Sequence, residues 1–145
     1  MANADEKKEF LKKVPLFQSL KDRQLQRLAD RMVERDYPAG TVIVEQGHGG
    51  EGFFVLVSGK AEAIRERGDG EKAVVNTFGP TDFFGELALL DEEGLRTASI
   101  KTIQPTHCLV LTRWDFVAIL KQDGEMAVEI LQELARRFRA ALNAL

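Results

Sequence analysis

Phe83 to Ile100 reads FFGELALLDEEGLRTASI. A Gly-Glu pair stands at the mouth of a short apolar run, and ten residues after Glu86 a lone Arg96 is followed by Thr97, Ala98 and Ser99. Gly85 carries no Cβ, so the backbone can turn there and a ligand can approach closely. "ELALL" has the residues of one or two helical turns, whose first N–H groups lack partners and whose dipole adds positive potential. Such a helix start favours an anion. The spacing lets the chain loop back and set the Arg96 guanidinium over the same anion, and a planar fork suits phosphate oxygens better than a lysine does. The Glu86 charge repels an anion, but its carboxylate accepts well from a sugar hydroxyl. An arginine for phosphate and a carboxylate for a ribose hydroxyl, joined by backbone amides, describe a nucleotide phosphoribose. Taken alone, a Glu and an Arg at this distance also read as solvent-facing side chains or as a mutual pair.

Around this stretch the apolar period is two. "TVIVEQ", "GFFVLVSG", "KAEAIRER", "EKAVVNTF" and "HCLVLT" are short strand candidates rich in Val, Ile, Phe and Thr. Gly40, Gly47, Gly49, Gly50, Gly52, Gly59, Gly68, Gly70 and Gly79 fall between them as loop residues. "RGDGEK" reads as a hairpin turn, because Asp-Gly takes the positive φ angles that tight hairpins need. Short antiparallel strands at this spacing imply a small barrel or jelly roll.

Both ends are helical in pattern. Residues 4–36 carry a short apolar face of Phe10, Leu11 and Val14, interrupted at Pro15. A second helix follows with Ser19 as N-cap, Asp22 in its first turn, and Leu25, Leu28, Ala29 and Met32 on its buried side. After the strands, Thr112 caps "TRWDFVAILKQ", with Asp115 where a capping-box partner sits. "GEMAVEILQELARRFRAALNAL" continues without proline. In it Leu131, Leu134, Phe138, Ala141 and Leu145 form a heptad seam of about two repeats. A dimer contact and packing on the chain's own β domain both fit that seam.

The chain of 145 residues is expected to be one domain. Its 44% apolar and 30% charged residues are those of an ordinary globular protein. The N-terminus lacks a signal-peptide segment and no apolar run is long enough to span a bilayer, so the expected location is cytoplasmic and away from membranes. The lone Cys108 excludes an internal disulfide and reads as a small buried hydrophobe. A net charge of −3 argues against nucleic-acid binding by this domain. His48 and His107 form no metal-like pair, and the adjacent Asp91 and Glu92 read as solvated loop carboxylates. No Ser or Cys has a nucleophile's context. Arg136, Arg137 and Arg139 sit near the end of the last helix, where the dipole favours cations. Neither a metal, an enzymatic cofactor nor a catalytic residue is expected.

"FGELALL" followed by "RTASI" closely resembles the phosphate-binding cassette of the cyclic nucleotide-binding domain family. "YPAGTVIVEQG", "FFVLVSGKAEA" and "FGPTDFFGELALL" extend the resemblance over about residues 10–142. It implies a mainly β fold with flanking helices. Helices occupy residues 1–36, a jelly-roll-like antiparallel β-roll residues 37–112, with the cassette at 84–99, and two helices residues 113–145. It also implies a non-enzymatic module that binds cAMP or cGMP and moves its C-terminal helices over the base. Glu86 then takes the ribose 2′-hydroxyl and Arg96 the cyclic phosphate. Phe84, Gly85, Leu87 and Ala88 line the cassette start, Thr97 and Ala98 follow the arginine, and Val75 and Ala63 face the base. Leu95, where many members have Pro, and Ser99, where Thr is frequent, are departures. The implied partner is an effector protein or domain, and a homodimer through the last helix is a further expectation. A catabolite-activator-type sensor half and a pure interaction domain without ligand remain open.

Overall fold

The change from helical to alternating periodicity divides the chain in space as well as in sequence. The computed structural model describes residues 3–48, 52–91 and 96–145, and of Leu87 the backbone alone; Gly49, Gly50, Glu92 and Leu95 lie outside these residues. Two compact units result, one made by the residues before Met32 with Trp114–Leu145 and the other by Met32–Arg113.

In the helical unit, α1 (Ala4–Lys12) starts at Asn3, whose side-chain oxygen accepts from the Glu6 N–H at 2.9 Å. Pro15 opens a single 3-10 turn, Pro15–Phe17, and α2 follows at Asp22–Ala29. Ser19 is therefore not the cap of α2. The Gln24 side chain reaches back to the Lys21 N–H at 2.8 Å, while the Ser19 hydroxyl accepts from Arg136 at 3.0 Å. Leu25, Leu28 and Ala29 are buried on α2, whereas Met32, expected on the same helix, lies past its end and is the first residue of the second unit, where it is also buried. Helix α3 (Arg113–Gln122) begins directly after Thr112. Helix α4 (Gly124–Asn143) is capped by Asp123, which accepts from Met126 N–H at 3.0 Å and pairs with Arg27 at 3.3 Å. Phe17 packs on Phe116 with ring centroids 5.9 Å apart. Glu133 accepts from Gln18 at 2.6 Å and from Arg136 at 2.7 Å. Arg136 thus has specific partners and does more than complement a helix dipole.

Helix α4 has two apolar faces. Met126 and Ile130 are buried, in phase with Glu133. Leu131, Phe138 and Leu142 are 65%, 66% and 51% exposed. They lie roughly 120° around the helix by its 3.6-residue period.

Among its described residues the second unit holds eight antiparallel strands: β1 (Val33–Tyr37), β2 (Val42–Val44), β3 (Gly52–Ser58), β4 (Ala61–Glu66), β5 (Lys72–Phe78), β6 (Phe83–Phe84), β7 (Ser99–Thr102) and β8 (Thr106–Thr112). They form sheets of order β1-β8-β3-β6 and β2-β7-β4-β5, the expected β-roll. Residues 33–36, expected as helix, are instead the edge strand β1, paired from Val33↔Val110 to Tyr37↔Thr106. Its charged sequence, VERDY, suits a sheet edge, where polar side chains face water. Gly52, expected in a loop, is the first residue of β3: a Cβ there would fall on the Leu111 carbonyl of β8. The β4–β5 hairpin turns through "RGDGE" with Gly70 at φ +87° and Arg67 N–H bonded to Glu71 O at 2.8 Å. The two sheets enclose Phe54, Leu56, Ala61, Ala63, Phe84, Ile100, Cys108 and Val110. Phe54 and Phe84 stack at 4.9 Å.

His107 on β8 bridges two carboxylates of β1, with Nδ1 2.6 Å from Asp36 and Nε2 2.9 Å from Glu34. Carboxylates only accept, so both contacts are hydrogen bonds only when the ring carries both protons. The bonds to Glu34 and then Asp36 accordingly raise the His107 pKa. A folded-state pKa above the unfolded value adds stability that is complete below about pH 6.5 and is lost as pH rises through the folded pKa. His107→Gln is therefore expected to destabilise the protein more at pH 6 than at pH 9 in urea denaturation. A penalty that does not change with pH would show that the ring is neutral.

Candidate ligand site

Strand β6 carries the chain into the site. Phe84 is fixed by its pairing with Phe54 on β3, and the chain leaves the strand at Gly85 with φ +84°. Glu86–Leu89 then forms a 3-10 turn, closed by Ala88 N–H on Gly85 O at 3.0 Å. The expected one or two helical turns are thus four residues of tighter winding, too few to sum a macrodipole of the α-helical kind. Ala88 and Leu89 are buried, and Glu86 is half-buried with its Oε2 oxygen shielded from solvent.

Arg96 returns the chain to the same place. Its backbone N–H donates to His48 O at 2.9 Å and its carbonyl accepts from Gly47 N–H at 2.8 Å. Its Nη2 donates to Gly52 O at 2.7 Å, and the guanidinium lies where a Cβ on Gly85 would be. Burial lowers the Arg96 pKa, although a guanidinium stays cationic at any physiological pH. Its Nε is buried and has no hydrogen-bond partner among the described residues. The N–H groups of Thr97 and Ala98 likewise make no hydrogen bond among the described residues. A buried cationic donor beside two open backbone amides is a strong site for an anion.

These groups border a cavity of about 520 Å³, lined also by Phe84, Gly85, Ala63, Val75, Val44, Phe78, Ile100, Arg65 and Asn76. Pockets for small organic ligands run from about 300 to 1,000 Å³. The structure therefore brings Ala63, Val75, Phe84, Gly85, Arg96, Thr97 and Ala98 to one cavity. Glu86 and Ala88 follow Gly85 in the 3-10 turn and are not among the lining residues; the Leu87 side chain is outside the described residues. Among the described residues two arginines and no carboxylate line the cavity, together with Asn76, Thr97 and several apolar side chains. That chemistry suits a small anion with a flat apolar body.

Sequence reading missed Arg65 and Asn76. Arg65 stands two residues after Ala63 on β4, and the period of two would have found it on the same face. Asn76 is less accessible to such reasoning. The β4–β5 register shifts between Ala63↔Asn76 and Ile64↔Val74, leaving Val75 as an extra residue. A bulge of this kind re-aims side chains, so that adjacent residues reach one cavity.

The rest of the chain offers little reactive chemistry. Burial pushes the Cys108 thiol up to about 12, aided by Asp36, so it is not a thiolate nucleophile. Among the described residues no cluster of His, Cys, Asp and Glu could hold a metal, and no helix is long and apolar enough to cross a membrane.

The family profile described as cyclic nucleotide-binding domain matches residues 34–123. The chain is similar to the cyclic AMP receptor protein of Thermus thermophilus, with 34% identity over 90% of this chain and 60% of that protein. It is also similar to the regulatory subunit of the cAMP-dependent protein kinase of Aspergillus fumigatus, with 44% identity over 63% of this chain and 21% of that one. Among solved structures, the N-terminal domain of a transcriptional regulator from Streptomyces coelicolor superposes with a TM-score of 0.84 and 31% identity, covering 93% of this chain and 94% of that domain. The chain thus spans under two thirds of the length of the two full-length relatives.

Proposed function

This chain belongs to the cyclic nucleotide-binding domain family, and on that premise we propose that its β-roll cavity takes cAMP or cGMP with the phosphate on Arg96. The observation that carries the assignment is the buried Arg96 side chain, whose Nε has no partner among the described residues and which lines one cavity with Thr97 and Ala98. The domain is a cyclic nucleotide-binding regulatory module. Its role is to bind and switch rather than to catalyse. The ligand shifts the equilibrium between conformations by its differential affinity for them. Val75 and Ala63 form the apolar wall for the base, and Glu86 accepts from the ribose 2′-hydroxyl.

Titration calorimetry with cAMP, cGMP and 2′-deoxy-cAMP tests this assignment. Glu86→Ala is expected to weaken cAMP by about tenfold or more, the worth of a hydrogen bond to a charged group, while leaving 2′-deoxy-cAMP nearly unchanged. Equal losses for the two ligands would remove Glu86 from the ribose.

The module acts in the cytoplasm on an effector protein or an attached effector domain. The similarity to a transcriptional regulator's N-terminal domain favours the sensor half of such a regulator as the second reading. The exposed stripe of Leu131, Phe138 and Leu142 on α4 supports a homodimer through that helix. Leu131→Ser with Phe138→Ser is expected to shift the sedimenting species to monomer. A parent chain that sediments as a monomer at high concentration would contradict it.

A further inference from the structure

The backbone that presents Arg96, Thr97 and Ala98 is fastened by a side chain of β4 that itself reaches the cavity wall and by the loop after β2. The Nε of Arg65, on β4, donates to the Thr97 carbonyl at 3.2 Å. The next residue of β4, Glu66, is bonded on both its N–H and its carbonyl by the Gln46 side-chain amide, at 2.7 and 2.9 Å. The Gln46 N–H in turn donates to Ser99 Oγ at 2.9 Å. Gln46 thereby anchors the loop whose Gly47 and His48 hold the backbone of Arg96. The end of β4 thus reaches the arginine segment twice, through a loop and through the Arg65 side chain.

We propose that Arg65 is a positioning residue for ligand binding that acts through the Thr97 carbonyl; the proposal rests on the cyclic nucleotide reading above. The peptide between Thr97 and Ala98 is trans, so its C=O and N–H point in opposite directions. Turning the Thr97 carbonyl to Arg65 sends the Ala98 N–H the other way and fixes its aim before the ligand arrives. A donor already held in place costs less ordering on binding. Arg65 is exposed, so solvent screens its charge even though the side chain reaches the cavity wall. On this proposal its contribution is the Nε–H bond, and a direct charge contact with the ligand is the competing role.

Side-chain topology separates these two roles. In Gln the amide Nε2 is at the same bond distance from Cα as the arginine Nε, so Arg65→Gln keeps a donor near that place without the charge. Arg65→Met keeps similar length and has no donor. In calorimetry with cAMP, Arg65→Met is expected to weaken binding about three- to tenfold, the range for one neutral-acceptor hydrogen bond. Arg65→Gln should stay within about twofold of the parent on the same basis. Thermal midpoints of all three proteins should agree, because an exposed side chain contributes little to the fold. If Arg65→Met binds like the parent, or Arg65→Gln is as weak as Arg65→Met, the strap is overturned while the ligand assignment stands. If the parent itself binds neither cAMP nor cGMP, the ligand assignment falls first and the strap with it.

Discussion

Arg96→Ala is expected to weaken cAMP and cGMP alike, by about ten- to a hundredfold, as charge-assisted bonds to a phosphate are lost from a desolvated site. The equality of the two losses follows from the chemistry, because the cyclic phosphate is common to both ligands and the base is not. The geometry makes the arginine hard to replace. Its guanidinium is anchored at one end by Gly52 O, 2.7 Å away, which leaves the buried Nε as a donor already stripped of water. A lysine is a point charge without the planar fork, so it cannot donate to Gly52 O and to two phosphate oxygens in the same arrangement. Arg96→Lys should therefore recover only part of the affinity. Calorimetry on both variants checks this, and parent-like affinity for Arg96→Ala would remove the phosphate from this cavity. Stability should fall by no more than about 1.5–3 kcal/mol, the worth of the one charge-assisted bond to Gly52 O that the variant loses.

The fold was legible where burial imposes a period. Strands β3 and β8 are long, apolar and bounded by turn residues, and they stand where alternation and β-branched content placed them. The edge strand β1 escaped because only one of its residues, Val33, is aliphatic, and it follows a helical pattern with no break. The two residues of β6 are too few to show any period, and their strand character comes from pairing with β3. On α4 the heptad seam was legible, but the face that packs within the helical unit is a different one, Met126 and Ile130. A helix with two apolar faces cannot be read from spacing alone, because either can be the buried one.

Within the site, Gly85 and Arg96 were singled out through the resemblance of "FGELALL" and "RTASI" rather than by composition, and the structure sets both on one cavity. The residues that fasten them were not singled out. The bond from Arg65 to Thr97 crosses 32 positions; outside the site, the contacts of His107 with Glu34 and Asp36 cross 73 and 71. Such pairs are set by sheet register, which in turn depends on bulges such as that at Val75. Local composition carries no trace of them.

Gly85→Ala tests the same register at its tightest point and is expected to cost both stability and ligand. Two separate effects act there. At φ +84° an alanine meets its own carbonyl, a strain of about 1–2 kcal/mol. The added Cβ would also fall on Nη1 of Arg96 and 2.6 Å from Gly52 O. The carbonyl cannot retreat, since Gly52 is held in β3 against Thr112 of β8. The guanidinium is the end of a flexible side chain and must give way, which breaks its bond to Gly52 O and moves the phosphate donor. Gly70→Ala separates the two effects: its φ is +87°, and a Cβ there has nothing within 4 Å. In urea denaturation both variants should lose about 1–2 kcal/mol from strain. In calorimetry Gly70→Ala should bind cAMP like the parent, whereas Gly85→Ala should fall as far as Arg96→Ala, about ten- to a hundredfold. If Gly85→Ala loses only the stability that Gly70→Ala loses and keeps its affinity, Arg96 does not bind from the position it holds against Gly52.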